Sequence, residues 1–395
     1  MAPWYDPATA PPQDVGTCRH QVVDWATVPA RPLVPDYAGA CLTNLVPALL
    51  GPAGTGELPA WFPTPAKGAG QVVLLVLDGL GWDQLVERAP LAPTMSSMAG
   101  GPIDAVAPTT TATALTSIVT GLTPGEHGVV GYRMAMHGEV LNVLRWNTSA
   151  GDARRRLVPT EVQPRRPFLG SSVPVVAKTE FVGSGFTEAH LAGVRHVGWR
   201  MPSNLAVEVG RLLAAGEPFV YGYYDGIDKI AHEYGLGRHY DAELAAVDRL
   251  VADVAAVLPS DAALVVTADH GQVDVPEILP LAPDAVGLCR LLSGEGRFRW
   301  LHARPGAERS VLAAASEAQS ARAWVVSVDE VVDGGWLGPT VSGAARSRLG
   351  DVAVVARDPV SFDDPADTGA IVLRCRHGSL TSDEVRVPLL GTRGA

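Results

Sequence analysis

Three apolar runs of strand length constrain this chain more than any other feature. They are Gln71-Val72-Val73-Leu74-Leu75-Val76-Leu77, Phe219-Val220-Tyr221-Gly222-Tyr223-Tyr224 and Ala262-Ala263-Leu264-Val265-Val266-Thr267. Such continuous runs suit central parallel strands buried on both faces. Helical patterns lie between them, at Ser203 to Ala215 and Tyr240 to Val257. Strands alternating with helices imply an α/β fold with a mostly parallel sheet and helices on its faces. Each run also leads into residues that carry chemistry. The first meets Asp78-Gly79, the second Asp225, Asp228 and His232, and the third Asp269-His270-Gly271. Parallel sheets bind ligands just beyond the carboxyl ends of their strands. The topology alone therefore gathers these groups at one edge.

The rest of the chain is arranged around this sheet. Residues 1–70 are rich in Pro, Ala and Gly and read as an N-terminal wrap. Residues 71–274 and 348–395 read as the core, with Asp351 to Ala356 as a strand returning to it. Residues 275–347 have a different texture and read as a small α/β insertion or cap. It holds a strand at Phe298 to Leu301, an Ala-rich helix from Glu308 to Arg322, and a strand from Ala323 to Val328.

Composition excludes several classes. With 395 residues, 47% hydrophobic and 18% charged, the chain has an ordinary globular make-up. A formal net charge of −11 disfavours a nucleic-acid polymer as partner. A small anionic substrate stays possible where metal ions reverse the local field. No stretch is long and apolar enough to span a bilayer, and the N-terminus lacks a secretory pattern, so the cytoplasm is the expected location. Cys18, Cys41, Cys289 and Cys375 are far apart and form no CxxC pair. Free or buried thiols are expected rather than a disulfide framework.

A hydroxyl-dense run, Pro108-Thr109-Thr110-Thr111-Ala112-Thr113, flows into a short helical pattern ending at Thr120-Gly121. Threonines before a helix are most often plain N-caps. The same position also points free backbone N–H groups and the positive dipole end at any phosphate carried by a hydroxyl. The acidic and His-containing strand ends favour the second reading. Asp and neutral His suit zinc at ~2.0–2.2 Å. Two metals ~3.5–4 Å apart can bind the attacking and leaving oxygens of a phosphoryl transfer. Asp228 and His232, four residues apart, share one face if their segment is helical, as an exposed pair also would. Asp78 before Gly79 can be a turn residue, and a lone His377 carries little weight. The order of the whole set is what points to a dinuclear centre.

At these residues the chain resembles the alkaline phosphatase superfamily, and in particular its nucleotide pyrophosphatase/phosphodiesterase branch. The segments that carry the resemblance are LLVLDGLG, PTTTATALTSIVTGLTPGEHG, YYDGIDKIAHEYG, VVTADHGQ and RHGSLTSDEVRVPLL, spread from about residue 71 to 390. The resemblance implies an alkaline-phosphatase-like three-layer sandwich. It implies two divalent metal ions, zinc first, with manganese or iron as alternatives for the same ligands. One ion would be held by Asp228, His232 and His377. The other would be held by Asp78, Asp269 and His270, joined by the hydroxyl of Thr111. The family's nucleophile stands nine residues before the Thr of its Thr-Gly pair, which selects Thr111, with Thr109, Thr110 and Thr113 as rivals.

The same comparison separates the branches. No cysteine lies near Thr111, unlike in sulfatases, and the serine motif of cofactor-independent phosphoglycerate mutases is missing. Classical phosphomonoesterases carry a Glu five residues before the metal-binding Asp, where this chain has Tyr223. That resembles the diesterase branch and a two-metal site. One departure stands out. The resemblance implies a phosphate-binding Asn three residues after the nucleophile, and Ala114 occupies that place. Arg133, Lys229 and Asn142 are candidates to meet the phosphate oxygens instead. The expected function is metal-dependent hydrolysis of a small phosphate ester or nucleotide, as a phosphodiesterase/nucleotide pyrophosphatase working through a phosphothreonine. A phosphomonoesterase or phosphotransferase on the same site is the second reading. A catalytically weak, metal-stabilised binding protein is the third.

Overall fold

The computed structural model describes residues 31–52, 54–367 and 372–395. The first thirty residues of the expected N-terminal wrap, and Cys18 with them, lie outside the described residues. The three apolar runs form adjacent strands at the centre of a seven-stranded sheet. From one edge its strands are Ala99–Asp104, Arg386–Arg393, Ala262–Thr267, Gln71–Leu77, Phe219–Tyr224, Pro174–Lys178 and Arg195–Trp199. Arg386–Arg393 runs antiparallel to both its neighbours, and the other pairings are parallel. Every residue of Phe219–Tyr224 and Ala262–Thr267 is buried, as is all of Gln71–Leu77 except its first residue. Both faces of the centre are thus covered, which explains why these strands do not alternate.

Register sets up the site. Val76 pairs with Thr267 on one side and with Tyr223 on the other, and Leu77 pairs with Tyr224. The three strands therefore end together, and Asp78, Asp225 and Asp269 follow their common edge. The helices Pro202–Ala214 and Arg238–Ala256 match the periodic segments to within two residues at either end. Cys41, Cys289 and Cys375 are buried free thiols, as expected. Among the described residues no helix is long and apolar enough to cross a membrane.

A second, four-stranded antiparallel sheet has the order Cys289–Glu295, Phe298–Ala303, Val352–Ala356, Ala323–Ser327. This corrects one expectation. The run Asp351 to Ala356 does not return to the central sheet; it pairs with Phe298–Ala303 and Ala323–Ser327. The second sheet thereby spans the boundary read at residue 348. The physical reason lies in its two buried faces. Ala353 and Val355 join the main core, while Val352, Val354 and Ala356 join a smaller core with Val311 and Ala315 of the helix Glu308–Gln319. A strand buried on both faces has the same apolar signature in either sheet.

Candidate active site

Asp78 follows its strand directly, and its backbone N–H donates to Tyr224 O at 2.9 Å. Gly79 then turns the chain with a φ of +77°, which favours glycine. Its N–H donates to Asp269 Oδ1 at 3.0 Å. The helix Gly226–Tyr234 starts against this turn, because the Asp228 N–H donates to Asp78 O at 3.1 Å. One helical turn separates Asp228 from His232, and His232 Nε2 stands 3.2 Å from Asp228 Oδ1. His377 arrives from far along the chain. Cys375–Arg376 pairs with Val273–Asp274, and Thr109 bridges to Gly378. His377 Nε2 is then 3.3 Å from His232 Nε2 and 3.8 Å from Asp228 Oδ1.

Two ligand clusters result. Asp228, His232 and His377 bring one donor atom each within 4.8 Å of one another, and Asp78, Asp228 and His270 do the same. Asp228 therefore stands between the clusters. Asp269 Oδ2 lies 3.4 Å from His270 Nε2, beside the second one. Thr111, at the start of the buried helix Thr111–Thr120, places its Oγ1 3.1 Å from His270 Nε2. All seven residues singled out in the sequence are thus brought together.

The hydrogen bonds behind the imidazoles orient them toward a shared point. The Nδ1 atoms of His232, His270 and His377 lie 2.7, 3.0 and 2.8 Å from the carbonyl oxygens of Cys375, Gly271 and Thr109. Each Nδ1–H donates outward, so each Nε2 lone pair faces the carboxylates. Two lone pairs 3.3 Å apart, as at His232 and His377, repel unless a cation or proton lies between them. Burial, then the His270 and His232 rings, push the His377 imidazolium well out of favour. Burial raises the Asp78 carboxyl, and the Asp269 and Asp228 charges raise it further. Asp269 is raised as well, first by its burial. Asp78 Oδ1 and Asp269 Oδ2 are buried without a hydrogen-bond partner. Orphaned carboxylate oxygens and aligned Nε2 lone pairs are a donor set that fits divalent cations, zinc among them.

The rival threonines are accounted for. Thr109 Oγ1 donates to Ser379 O at 2.7 Å and accepts from Gly378 N at 2.9 Å, which locks the His377 segment. Thr110 is the N-cap residue, yet its side chain makes no cap bond; its hydroxyl pairs with Glu295. Thr113 Oγ1 is buried without a partner. Thr111 is the one whose hydroxyl reaches the clusters. The three candidates for phosphate contact separate too. Arg133 is buried in an ion pair with Asp364 at 2.5 Å, and Asn142 donates to the Tyr132 hydroxyl at 2.6 Å. Lys229 lines the cavity that holds Thr111. That cavity has a volume of about 250 Å³, with Asp78, Thr111 and Asp228 at the site and Phe181, Phe186 and Leu191 among its apolar walls.

Two contributors, Gln272 and Lys178, escaped the sequence reading, and a third, Tyr223, was read only as a marker of the branch. The Tyr223 hydroxyl donates to Asp78 Oδ2. Gln272 Nε2 donates to Asp228 Oδ1 at 2.6 Å. Lys178 Nζ lies 2.6 Å from Asp225 Oδ1 at the cavity. Gln272 sits two residues past His270, so strand-end position was the available signal; nothing local marks Lys178.

Comparison with known proteins places the chain in a family. The family model for type I phosphodiesterase / nucleotide pyrophosphatase matches residues 72–191 and 201–379. No curated protein sequence matches the chain. Among solved structures, murine ectonucleotide pyrophosphatase / phosphodiesterase 5 superposes with a TM-score of 0.62 at 16% identity, covering 82% of this chain and 88% of that one. The human protein of that name gives 0.59 at 16% identity, covering 81% and 87%. Phosphonoacetate hydrolase from Sinorhizobium meliloti 1021, in complex with phosphonoformate, gives 0.57 at 17% identity, covering 83% and 91%. At these identities the structural likeness speaks for the fold, and the family model carries the assignment. The chain belongs to the type I phosphodiesterase / nucleotide pyrophosphatase family and is a phosphoric ester hydrolase.

Proposed function

We propose that this protein hydrolyses phosphodiesters, including nucleotide pyrophosphate bonds, through a phosphothreonine formed on Thr111. The observation that carries this reading is the Thr111 hydroxyl, 3.1 Å from His270 Nε2, at the site end of the cavity. We assign Asp228, His232 and His377 to one divalent ion and Asp78, Asp269, His270 and Thr111 to the other, zinc being the ion that this donor set suits first. Bound there, the ions supply positive charge that lowers the hydroxyl pKa and stabilises the leaving oxygen.

The chain's own residues then do the following. The Thr111 oxygen gives its proton to solvent and attacks phosphorus, and the bond from phosphorus to the leaving oxygen breaks, its electron pair departing with that oxygen, which takes up a proton from solvent. Water cleaves the resulting phosphothreonine and restores the hydroxyl. The first-turn N–H groups of the Thr111–Thr120 helix face the phosphate oxygens, because Thr110 does not cap them with its side chain. This offers a role for the backbone where Ala114 supplies no amide. Tyr223 supports the diester reading, since a phenol bonded to Asp78 stands where a monoesterase would carry a carboxylate. The cavity of about 250 Å³ supports a small phosphate ester or nucleotide as substrate, as does the murine structure solved as an inactive variant in complex with AMP.

The test is a substrate panel on zinc-loaded protein. Bis(4-nitrophenyl) phosphate and the 4-nitrophenyl ester of thymidine 5′-monophosphate should turn over faster than 4-nitrophenyl phosphate. Thr111→Ala should keep its zinc and lose turnover by about a thousandfold or more. Full activity in that variant would overturn the nucleophile. Preference for the monoester would favour a phosphomonoesterase.

A further inference from the structure

Arg133 and Asn142, which do not line the Thr111 cavity, stand in the wall of a second one. We propose that this second cavity binds a small organic anion, phosphate- or carboxylate-bearing, through Arg145 and Arg290. The site is independent of the Thr111 reading, and no described residue lines both cavities. Its volume of about 640 Å³ is within the usual range of a small-molecule site. The antiparallel strands Arg133–Met136, Glu139–Asn142 and Asn147–Thr148 form one wall, and the strand Cys289–Glu295 contributes another. The carboxylates of the lining already have partners. Arg133 pairs with Asp364 at 2.5 Å, Arg299 with Asp367 at 3.0 Å, and Arg156 with the two oxygens of Glu139 at 2.9 and 3.0 Å. Asp363 and Glu295 act on the partly buried Arg376 behind them. Arg145 and Arg290 are left over. Among the described residues, neither guanidinium has an ion pair or a hydrogen bond. Unmatched guanidinium groups at one cavity favour an anion, and the planar fork of each fits a phosphate or carboxylate by two parallel bonds.

The backbone places both arginines at the cavity. Cys289 pairs with Ala303 and Leu291 with His302, so Arg290 is an extra residue with no partner opposite. A bulge of this kind re-aims a side chain. Arg145 lies in the turn between Asn142 and Asn147, which pair with each other. The next residue, Trp146, is fully buried, and its Nε1–H donates to Leu157 O at 2.7 Å. Its φ of +53° is uncommon for a residue with a side chain, and the anchored indole holds it there. The turn is thereby fixed between the two cavities, with Leu144 lining the one at Thr111 and Arg145 lining the other.

The experiment is calorimetric titration of the zinc-loaded full chain with inorganic phosphate and, separately, with succinate. Phosphate should bind at two sites, one at the catalytic centre and one in the second cavity. Arg145→Met and Arg290→Met should each weaken the second site about tenfold or more, as expected for a charge-assisted hydrogen bond. The other phosphate site, and turnover of bis(4-nitrophenyl) phosphate, should stay within about twofold. Both side chains are exposed, and zinc content equal to that of the wild type checks the fold of each variant. The anion that the arginine-dependent site binds more tightly tells phosphate from carboxylate. An anion site left unchanged by either variant, or no site for either anion beyond the catalytic one, overturns the proposal. A single site that both variants weaken supports the second cavity and counts against the catalytic reading. Two phosphate sites without turnover of any ester leave the cavity standing and overturn only the proposed function.

Discussion

The phenol of Tyr223 donates a hydrogen bond to Oδ2 of Asp78. Both side chains are buried, and burial raises the pKa of each, with the Asp78 charge adding to the rise at Tyr223. The bond fixes which carboxylate oxygen faces where. Oδ1 is left without a partner, 3.6 Å from His270 Nε2, which is the direction a cation would occupy. Tyr223→Phe should therefore weaken zinc binding about 10–100-fold, the usual cost of losing a partner behind a metal ligand. Competition against a chromogenic chelator measures this. Unchanged affinity would mean that the phenol only fills space.

Gly79 should be equally intolerant for a steric reason. A Cβ built there would lie 2.8 Å from Gln272 Nε2 and 2.9 Å from the Asp228 Cα, and its φ of +77° disfavours any other residue. The Asp228 backbone cannot retreat without breaking its 3.1 Å bond to Asp78 O. Gly79→Ala should cost about 1–3 kcal/mol of stability and reduce turnover by far more than the unfolded fraction explains. Thermal unfolding and zinc stoichiometry on one sample check it. Wild-type turnover at full zinc loading would refute the steric argument.

His377 depends on a buried ion pair that joins it to the second sheet. Arg297 and Glu384 are fully buried, with Nε and Nη2 of the guanidinium each 2.8 Å from a carboxylate oxygen. Glu384 also accepts from the Ser379 N–H at 2.9 Å and the Thr381 hydroxyl at 2.5 Å, so it ties down the turn after His377. Arg297→Met leaves that carboxylate unpaired and should destabilise by about 3–5 kcal/mol. Combining it with Glu384→Gln should recover part of the loss, since the buried charge is then gone. Denaturant titration of the four proteins decides; strictly additive losses would show that the two residues do not act as a pair.

Much of the centre was legible because strand ends and apolar runs are local signals. Asp78, Asp228 and Asp269 each lie just past an apolar run of strand length, and parallel register does the rest. His377 was legible only by resemblance, since its approach depends on pairings with Val273 and Thr109 that lie far away in sequence. Val352–Ala356 was assigned to the wrong sheet because burial on both faces looks the same in each. Lys178 went unread as a site group, and Tyr223 was read only as a branch marker, for a related reason. A lysine or tyrosine near a strand end has no pattern of its own; its role comes from the side chain it meets, Asp225 or Asp78.

Away from the site, buried neutral histidines set the acid limit of the fold. Burial lowers His127 to about 3, with the Arg348 charge adding to it. The neutral form is fixed on both sides: Val129 N–H donates to Nδ1 at 3.1 Å, so Nε2–H donates to Ser117 Oγ at 2.8 Å. His190 and His302 are lowered to about 4, again chiefly by burial. A histidine with a depressed folded pKa leaves the unfolded chain binding the extra proton, so stability falls as pH drops. The window opens near pH 6.5, the unfolded value, and closes near pH 3 for His127. Between pH 7.5 and 5 the loss is on the order of 2 kcal/mol for each such group. The raised carboxyls of Asp78 and Asp269 act with the opposite sign in metal-free protein, so a single variant must isolate the effect. His127→Gln should be less stable than wild type at pH 7.5, and the gap should narrow by about 2 kcal/mol at pH 5. Parallel denaturant curves at the two pH values would remove His127 from the acid response.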